Sequence, residues 1–381
     1  MTGFRFVNGR VVTPAGILED AAITLAEGQI ATVTPLSAAD TVGAETVDLE
    51  GGWLVPGFID TQVNGGGGVL FNDEPTVEGI ATIGRAHARY GTTGFMATLI
   101  SDVPDVIGRA LDAADAAIAA GVPGFLGVHV EGPIINVKRK GIHDAGKFRR
   151  LDPEMLALFE KPRRGKVMLT LAPELVPLDD IARLRDLGVI LAIGHSDADY
   201  ETATAAFAAG MTGVTHLYNA MSPLVHRSPG VVGASLDNQT AYCGLIVDGF
   251  HAHDAAFRIA LRARPLDRFM LVTDAMSCVG VDVTEFDLHG RRILVRDGRC
   301  VGEDGTLAGA AIDMTAAFRN TINRLGRSPA EAAIMASLAP ASFLGLSHQR
   351  GALAPGLAAD WVRLTADFHP AGTWIAGTRT A

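Results

Sequence analysis

Eight apolar runs of strand length lie between Leu54 and Met276. They are LVPGFIDTQV, TGFMATLI, FLGVHVEG, VMLTLAPE, VILAIGHS, GVTHLYNA, CGLIVDGF and FMLVTDAM. Runs this short with little polar alternation suit strands covered on both faces, as in parallel sheets flanked by helices. Helical patterns lie between most of them. VIGRALDAADAAIAAG and DADYETATAAFAAG are alanine-rich, and each ends on a glycine stop. Eight strands alternating with helices predict an α/β fold, a parallel (β/α)8 TIM barrel over residues 54–345. A doubly wound open sheet has the same rhythm, so periodicity alone does not close the barrel.

The ends of the chain have a different texture. FRFVNGRVV, AAITLAEGQIATV and TVDLEGGWLVPG read as short strands, with turn signals such as Asn8-Gly9 and Glu27-Gly28 between them. The tail GALAPGLAADWVRL returns to β character. Pairing the two gives one small β domain from residues 1–53 and 346–381. A β-rich insert, HGRRILVRDGRCVGEDGTLAG, follows the last barrel strand, with helical segments around 312–325 and 328–337 behind it.

Charge narrows the function classes. The net charge of −10 disfavours binding to nucleic acid or an anionic membrane, so no such partner is expected. An anionic substrate would need a local cationic pocket. Cys243, Cys278 and Cys300 are scattered and odd in number, which reads as reduced thiols. MTGFRFVNGR has no apolar signal core, and charged residues interrupt every candidate membrane span, so a cytoplasmic protein is expected.

Chemistry in a barrel sits where strands end. The tips carry Asp60, Gln62 and Asn64; His129 and Glu131; His195; His216; Asp248 and His251; and Asp274. Glu131, His195 and His216, one carboxylate and two imidazoles on three strands, predict a divalent-metal site with an open position. Any one of them alone reads as a buried polar residue with an ordinary hydrogen bond. Asp274 is placed to take a proton from a water at that ion. The alternative, a helix N-cap, is disfavoured because MSCVGVDV does not look helical. His143, in INVKRKGIHDAG, reads equally as an oxyanion donor or a solvent-facing loop histidine. Arg227 and His251 are candidates for gripping an anion. His129 reads as support behind the site or as a core histidine. The glycines of Gly305-Thr306-Leu307-Ala308-Gly309 either admit a ligand or make a plain turn.

The series PGFIDTQVNG, HVEGPIIN, GIHDAG, GHSDADY, THLYNAMSP, Arg227–Gly230, DGFHA, LVTDAM, TLAG and GALAPGLAADWV runs nearly end to end. In that order it resembles the N-acetylglucosamine-6-phosphate deacetylase family of the amidohydrolase superfamily. The resemblance implies a barrel with a small β-sandwich built from both termini. It implies hydrolysis of the N-acetyl group of N-acetyl-D-glucosamine 6-phosphate; the alternatives are the galactosamine epimer or another N-acyl compound. A non-catalytic scaffold should show eroded ligands, and none is eroded here. Many superfamily members carry His-x-His where this chain reads Gln62-Val63-Asn64, so the mononuclear branch is implied. The implied cofactor is one divalent metal per subunit, zinc foremost, with Fe2+, Mn2+ or Co2+ as alternatives. Asp274 would be general base and then acid, and His143 would hydrogen-bond the scissile carbonyl. Asn219 and Ala220 would contact the sugar or phosphate, and Ile142, Leu307, Ala308 and Gly309 would line the pocket. Arg227 and His251 would bind the phosphate, one of them from a neighbouring subunit, which implies a homodimer.

Overall fold

Phe58–Val63 and Thr92–Ile100 are buried along their whole length, as strands with helices outside and packed side chains inside must be. In the computed structural model, which describes residues 2–39 and 42–381, they are the first two of eight parallel strands. The others are Phe125–Glu131, Lys166–Leu171, Ile190–Ile193, Gly213–Val214, Tyr242–Leu245 and Phe269–Leu271, hydrogen-bonded in chain order. Helices such as Val77–Ala88, Pro104–Ala119 and Tyr200–Ala209 lie between them. Ile83, Ile107, Leu111 and Ala203 on these helices pack against the strands in one core.

Contacts between the first and eighth strands close the sheet. Val63 bridges Ala275 in parallel, the Asp274 amide donates to Gln62 O at 2.9 Å, and Thr273 Oγ1 donates to Asp60 Oδ2 at 2.5 Å. The open-sheet alternative is therefore excluded. The seam runs through the residues that flank Asp274, so closing the barrel and placing that carboxylate are one event.

The run 54–63 is not one strand. Trp53–Pro56 leaves the barrel and pairs with Trp361–Leu364 and with the strand Thr2–Thr13. Gly57 is the joint, where a Cβ would stand 2.1 Å from Thr93 Oγ1. Trp53–Pro56 thus belongs to an eight-stranded sheet drawn from both ends of the chain. Its core packs Phe6, Ile23, Leu54 and Trp361, with Phe4 and Phe6 edge-on to Trp361 at 5.5 and 5.9 Å.

The insert forms a separate four-stranded antiparallel sheet, Glu285–Leu288, Arg291–Arg296, Arg299–Gly302 and Leu307–Ala310. Its Leu288, Ile293, Cys300 and Ala308 pack against Ile100 and Met276 on the barrel rim. The sixth barrel strand is only Gly213–Val214, and the chain turns at Thr215. His216 and Tyr218 have φ of 33° and 82°, which no strand can continue through. No helix among the described residues is long and apolar enough to cross a membrane.

Candidate metal centre

Three residues at strand tips adopt the left-handed region that non-glycine residues seldom use: His195 at φ 50°, His216 at 33° and Asp274 at 53°. Such strain persists only where the surroundings hold it, and it clusters at working sites. Here it turns three polar side chains toward one another at the same end of the barrel.

His195 Nε2 and His216 Nε2 lie 3.0 and 2.9 Å from the same oxygen, Glu131 Oε1, and 3.1 Å from each other. His195 Nδ1 is 2.8 Å from Arg139 O. A carbonyl only accepts, so Nδ1 carries the proton and Nε2 turns a lone pair toward the carboxylate. Facing lone pairs at this range repel one another unless a cation lies between them. Around a tetrahedral ion with bonds of about 2.0–2.1 Å, ligand atoms stand roughly 3.3 Å apart, close to the spacing here. All three residues are buried, and their ligand atoms fall within 4.8 Å of one another. The donor set fits a single divalent ion.

Gln62 and Asn64 act as donors. Gln62 Nε2 reaches Glu131 Oε2 at 3.2 Å and Asp274 Oδ1 at 3.1 Å, and Asn64 Nδ2 reaches the same Asp274 oxygen at 2.6 Å. Two neutral carboxamides therefore hold two carboxylates at the candidate metal centre. Burial raises the Asp274 carboxyl to about 6, with the Glu131 charge adding to the effect. A cation on Glu131 would counter that second contribution.

His143 is buried rather than solvent-facing, with its ring centroid 4.4 Å from that of His195. Burial holds its imidazole well below the usual range, so it is neutral. His129 lies between Thr98 Oγ1 at 3.2 Å and Thr170 Oγ1 at 2.7 Å. Burial lowers its pKa to about 4, a neutral ring among barrel hydroxyls.

A cavity of about 330 Å³ opens above these groups, with Glu131, His143, His195, His216 and Asp274 on its wall. Asn219, Ala220, His251, Ile142, Leu307 and Gly309 line it as well. Ala308 does not, being fully buried in the core of the insert. Arg227 is exposed and lies off the cavity of its own chain. His251 Nδ1 is 2.6 Å from Asp248 Oδ2. Burial opposes the Asp248 charge, but the His251 hydrogen bond holds its carboxyl low. Two cationic lining residues escaped the sequence reading: Lys138 and Arg139, both paired with Asp197 at 3.2 and 2.9 Å. The available signal was the basic run Lys138-Arg139-Lys140 in an acidic chain.

Residues 53–380 match the amidohydrolase family. The chain is 41% identical to the N-acetylgalactosamine-6-phosphate deacetylase of Shewanella sp. (strain ANA-3), over 97% of this chain and 93% of that protein. It is 33% identical to the N-acetylglucosamine-6-phosphate deacetylase of Haemophilus influenzae, over 98% of each. A mutant of the Mycobacterium smegmatis N-acetyl-D-glucosamine-6-phosphate deacetylase, solved in complex with N-acetyl-D-glucosamine-6-phosphate, superposes with a TM-score of 0.90 at 30% identity, covering 100% of both chains.

Proposed function

The chain belongs to the amidohydrolase family, and from that premise we propose that it hydrolyses N-acetyl-D-glucosamine 6-phosphate to D-glucosamine 6-phosphate and acetate. The observation that carries this reading is the convergence of Glu131, His195 and His216 beside Asp274 on a cavity that also holds cationic side chains. We assign zinc to the centre, because imidazole and carboxylate in a four-coordinate set suit it. Bound there, a divalent ion supplies Lewis acidity and lowers the pKa of a water on its open side.

The rest is done by the chain's own groups. Asp274 Oδ1 is occupied by Gln62 and Asn64. Oδ2, with no hydrogen-bond partner among the described residues, takes a proton from the attacking water and passes it to the departing amine. His143, neutral and buried, donates to the acetyl oxygen as negative charge develops on it. Lys138 and Arg139 give the cavity the positive side that a phosphate needs, and His251 adds a hydrogen-bonding ring beside them. Asn219, Ala220, Ile142, Leu307 and Gly309 shape the sugar pocket. Arg227, exposed and off its own cavity, serves the phosphate of a partner subunit in a homodimer. The enzyme works in the cytoplasm, with a barrel of residues 58–345 and a small β domain of residues 1–56 and 346–381, the expected boundary at 53/54 moving to Gly57 because Trp53–Pro56 pairs with the terminal strands.

The 41% identity to a galactosamine-phosphate deacetylase favours a second reading, the epimeric substrate. Parallel assays of acetate release decide between them. N-Acetylglucosamine 6-phosphate should be the faster substrate, and unphosphorylated N-acetylglucosamine far slower. The reverse order of epimers supports the second reading, and no release from either phosphosugar overturns both.

A further inference from the structure

We propose that Ser101 is a positioning residue that fixes His143 in the tautomer carrying its proton on Nε2, so that a hydrogen-bond donor faces the substrate. This rests on the reading that His143 donates to the acetyl oxygen. The Ser101 amide donates to His143 Nδ1 at 3.3 Å, and Ser101 Oγ lies 2.8 Å from the same nitrogen. An amide N–H cannot accept, so Nδ1 presents its lone pair, and the hydroxyl turns its hydrogen to the same lone pair. A neutral imidazole has one proton, which is then on Nε2. That atom has no hydrogen-bond partner among the described residues, and His143 lines the cavity.

The hydroxyl has a built seat. A Cβ at Gly132, directly after the metal ligand Glu131, would stand 2.3 Å from Ser101 Oγ. Ser101 is 1% exposed and His143 2%, so water does not compete for the contact. The two segments are also tied independently of the hydroxyl. Asp102 Oδ1 pairs with Lys147 Nζ of the His143 loop at 2.9 Å, and the Asn72 side chain anchors the Ser101 segment itself through two hydrogen bonds to the Ile100 backbone, at 3.1 and 3.0 Å. Removing the hydroxyl therefore leaves the His143 loop anchored, with only the longer amide contact to select the tautomer.

The test compares Ser101→Ala and Ser101→Thr with the parent, all zinc-loaded. Nitrogen NMR of ring-labelled histidine reads the tautomer, with His143 assigned by the signals that His143→Gln loses. The parent should show a bare Nδ1 and a protonated Nε2. Ser101→Ala should show mixed tautomers and a kcat lower by about tenfold, the worth of roughly one neutral hydrogen bond, with KM and metal content kept. Ser101→Thr should restore both readouts. A proton on Nδ1 in the parent, or an unchanged ring signal in Ser101→Ala, overturns the proposal. The ring signals need no substrate, so a parent without deacetylase activity would sink the functional reading and leave this one to be decided by NMR.

Discussion

Replacing Asp274 with asparagine should separate proton transfer from architecture. In the parent, Asp274 Oδ1 accepts from Asn64 at 2.6 Å and from Gln62 at 3.1 Å. The carbonyl oxygen of an asparagine can accept both, which puts its NH2 where the free carboxylate oxygen was. The backbone is pinned on both sides, since the residue-274 amide donates to Gln62 O and the Ala310 amide to Asp274 O, each at 2.9 Å. Its φ of 53° is one that asparagine tolerates better than most residues. The variant should therefore fold and keep its metal, because none of the three ligands is touched. It cannot take a proton, and the loss of a general base costs roughly 10²–10⁴ in kcat, or about 3–5 kcal/mol of barrier. Acetate release at saturating substrate, elemental analysis and a thermal melt on the same sample measure all three quantities. A kcat within about threefold of the parent's, with metal fully bound, would refute the assignment of Asp274.

Arg227→Ala should raise KM for the phosphosugar by about tenfold or more with kcat largely kept, because a lost phosphate contact removes binding common to ground and transition states. An unchanged KM, checked by initial-rate kinetics, would remove Arg227 from phosphate binding. His87 is fully buried, with Nε2 at 2.8 Å from Gly65 O, and burial lowers its pKa to about 4. A lowered folded-state value favours the neutral ring, so its contribution is complete above the unfolded value of about 6.5 and is lost as pH falls toward 4. The loss approaches about 3 kcal/mol in that window. His87→Gln should flatten the fall in denaturant midpoint between about pH 6.5 and 4; an equally steep fall would assign the acid sensitivity elsewhere.

The centre was legible because its residues break a strong pattern. Glu131, His195, His216 and Asp274 each end an apolar run, and a buried strand rarely ends on an ionisable group without a partner. The barrel was legible from the same runs, but its closure depends on the Asp60–Thr273 and Val63–Ala275 contacts, which join residues more than 200 positions apart. The break at Gly57 was hidden because the residues directly flanking it, Leu54–Pro56 and Phe58–Ile59, are apolar and read as one run; the pairing of Trp53–Pro56 with Trp361–Leu364 and the close approach of Thr93 expose it. Ser101 was invisible for the opposite reason: a serine after an apolar run is the ordinary end of a strand. Lys138 and Arg139 sit in a basic loop, and the Asp197 pairings together with the Arg139 O–His195 contact draw that loop onto the cavity. Ala308 and Gly309 are adjacent in sequence, yet the pleat of Leu307–Ala310 buries one and gives the other to the cavity.

The most direct measurement counts bound metal against activity. Metal-stripped protein titrated with zinc should regain acetate release in proportion to the ion bound and saturate at about one ion per chain. His216→Ala should bind far less at the same zinc concentration and stay inactive. Full activity in the stripped protein, or saturation only at about two ions per chain, would contradict a single centre built on Glu131, His195 and His216.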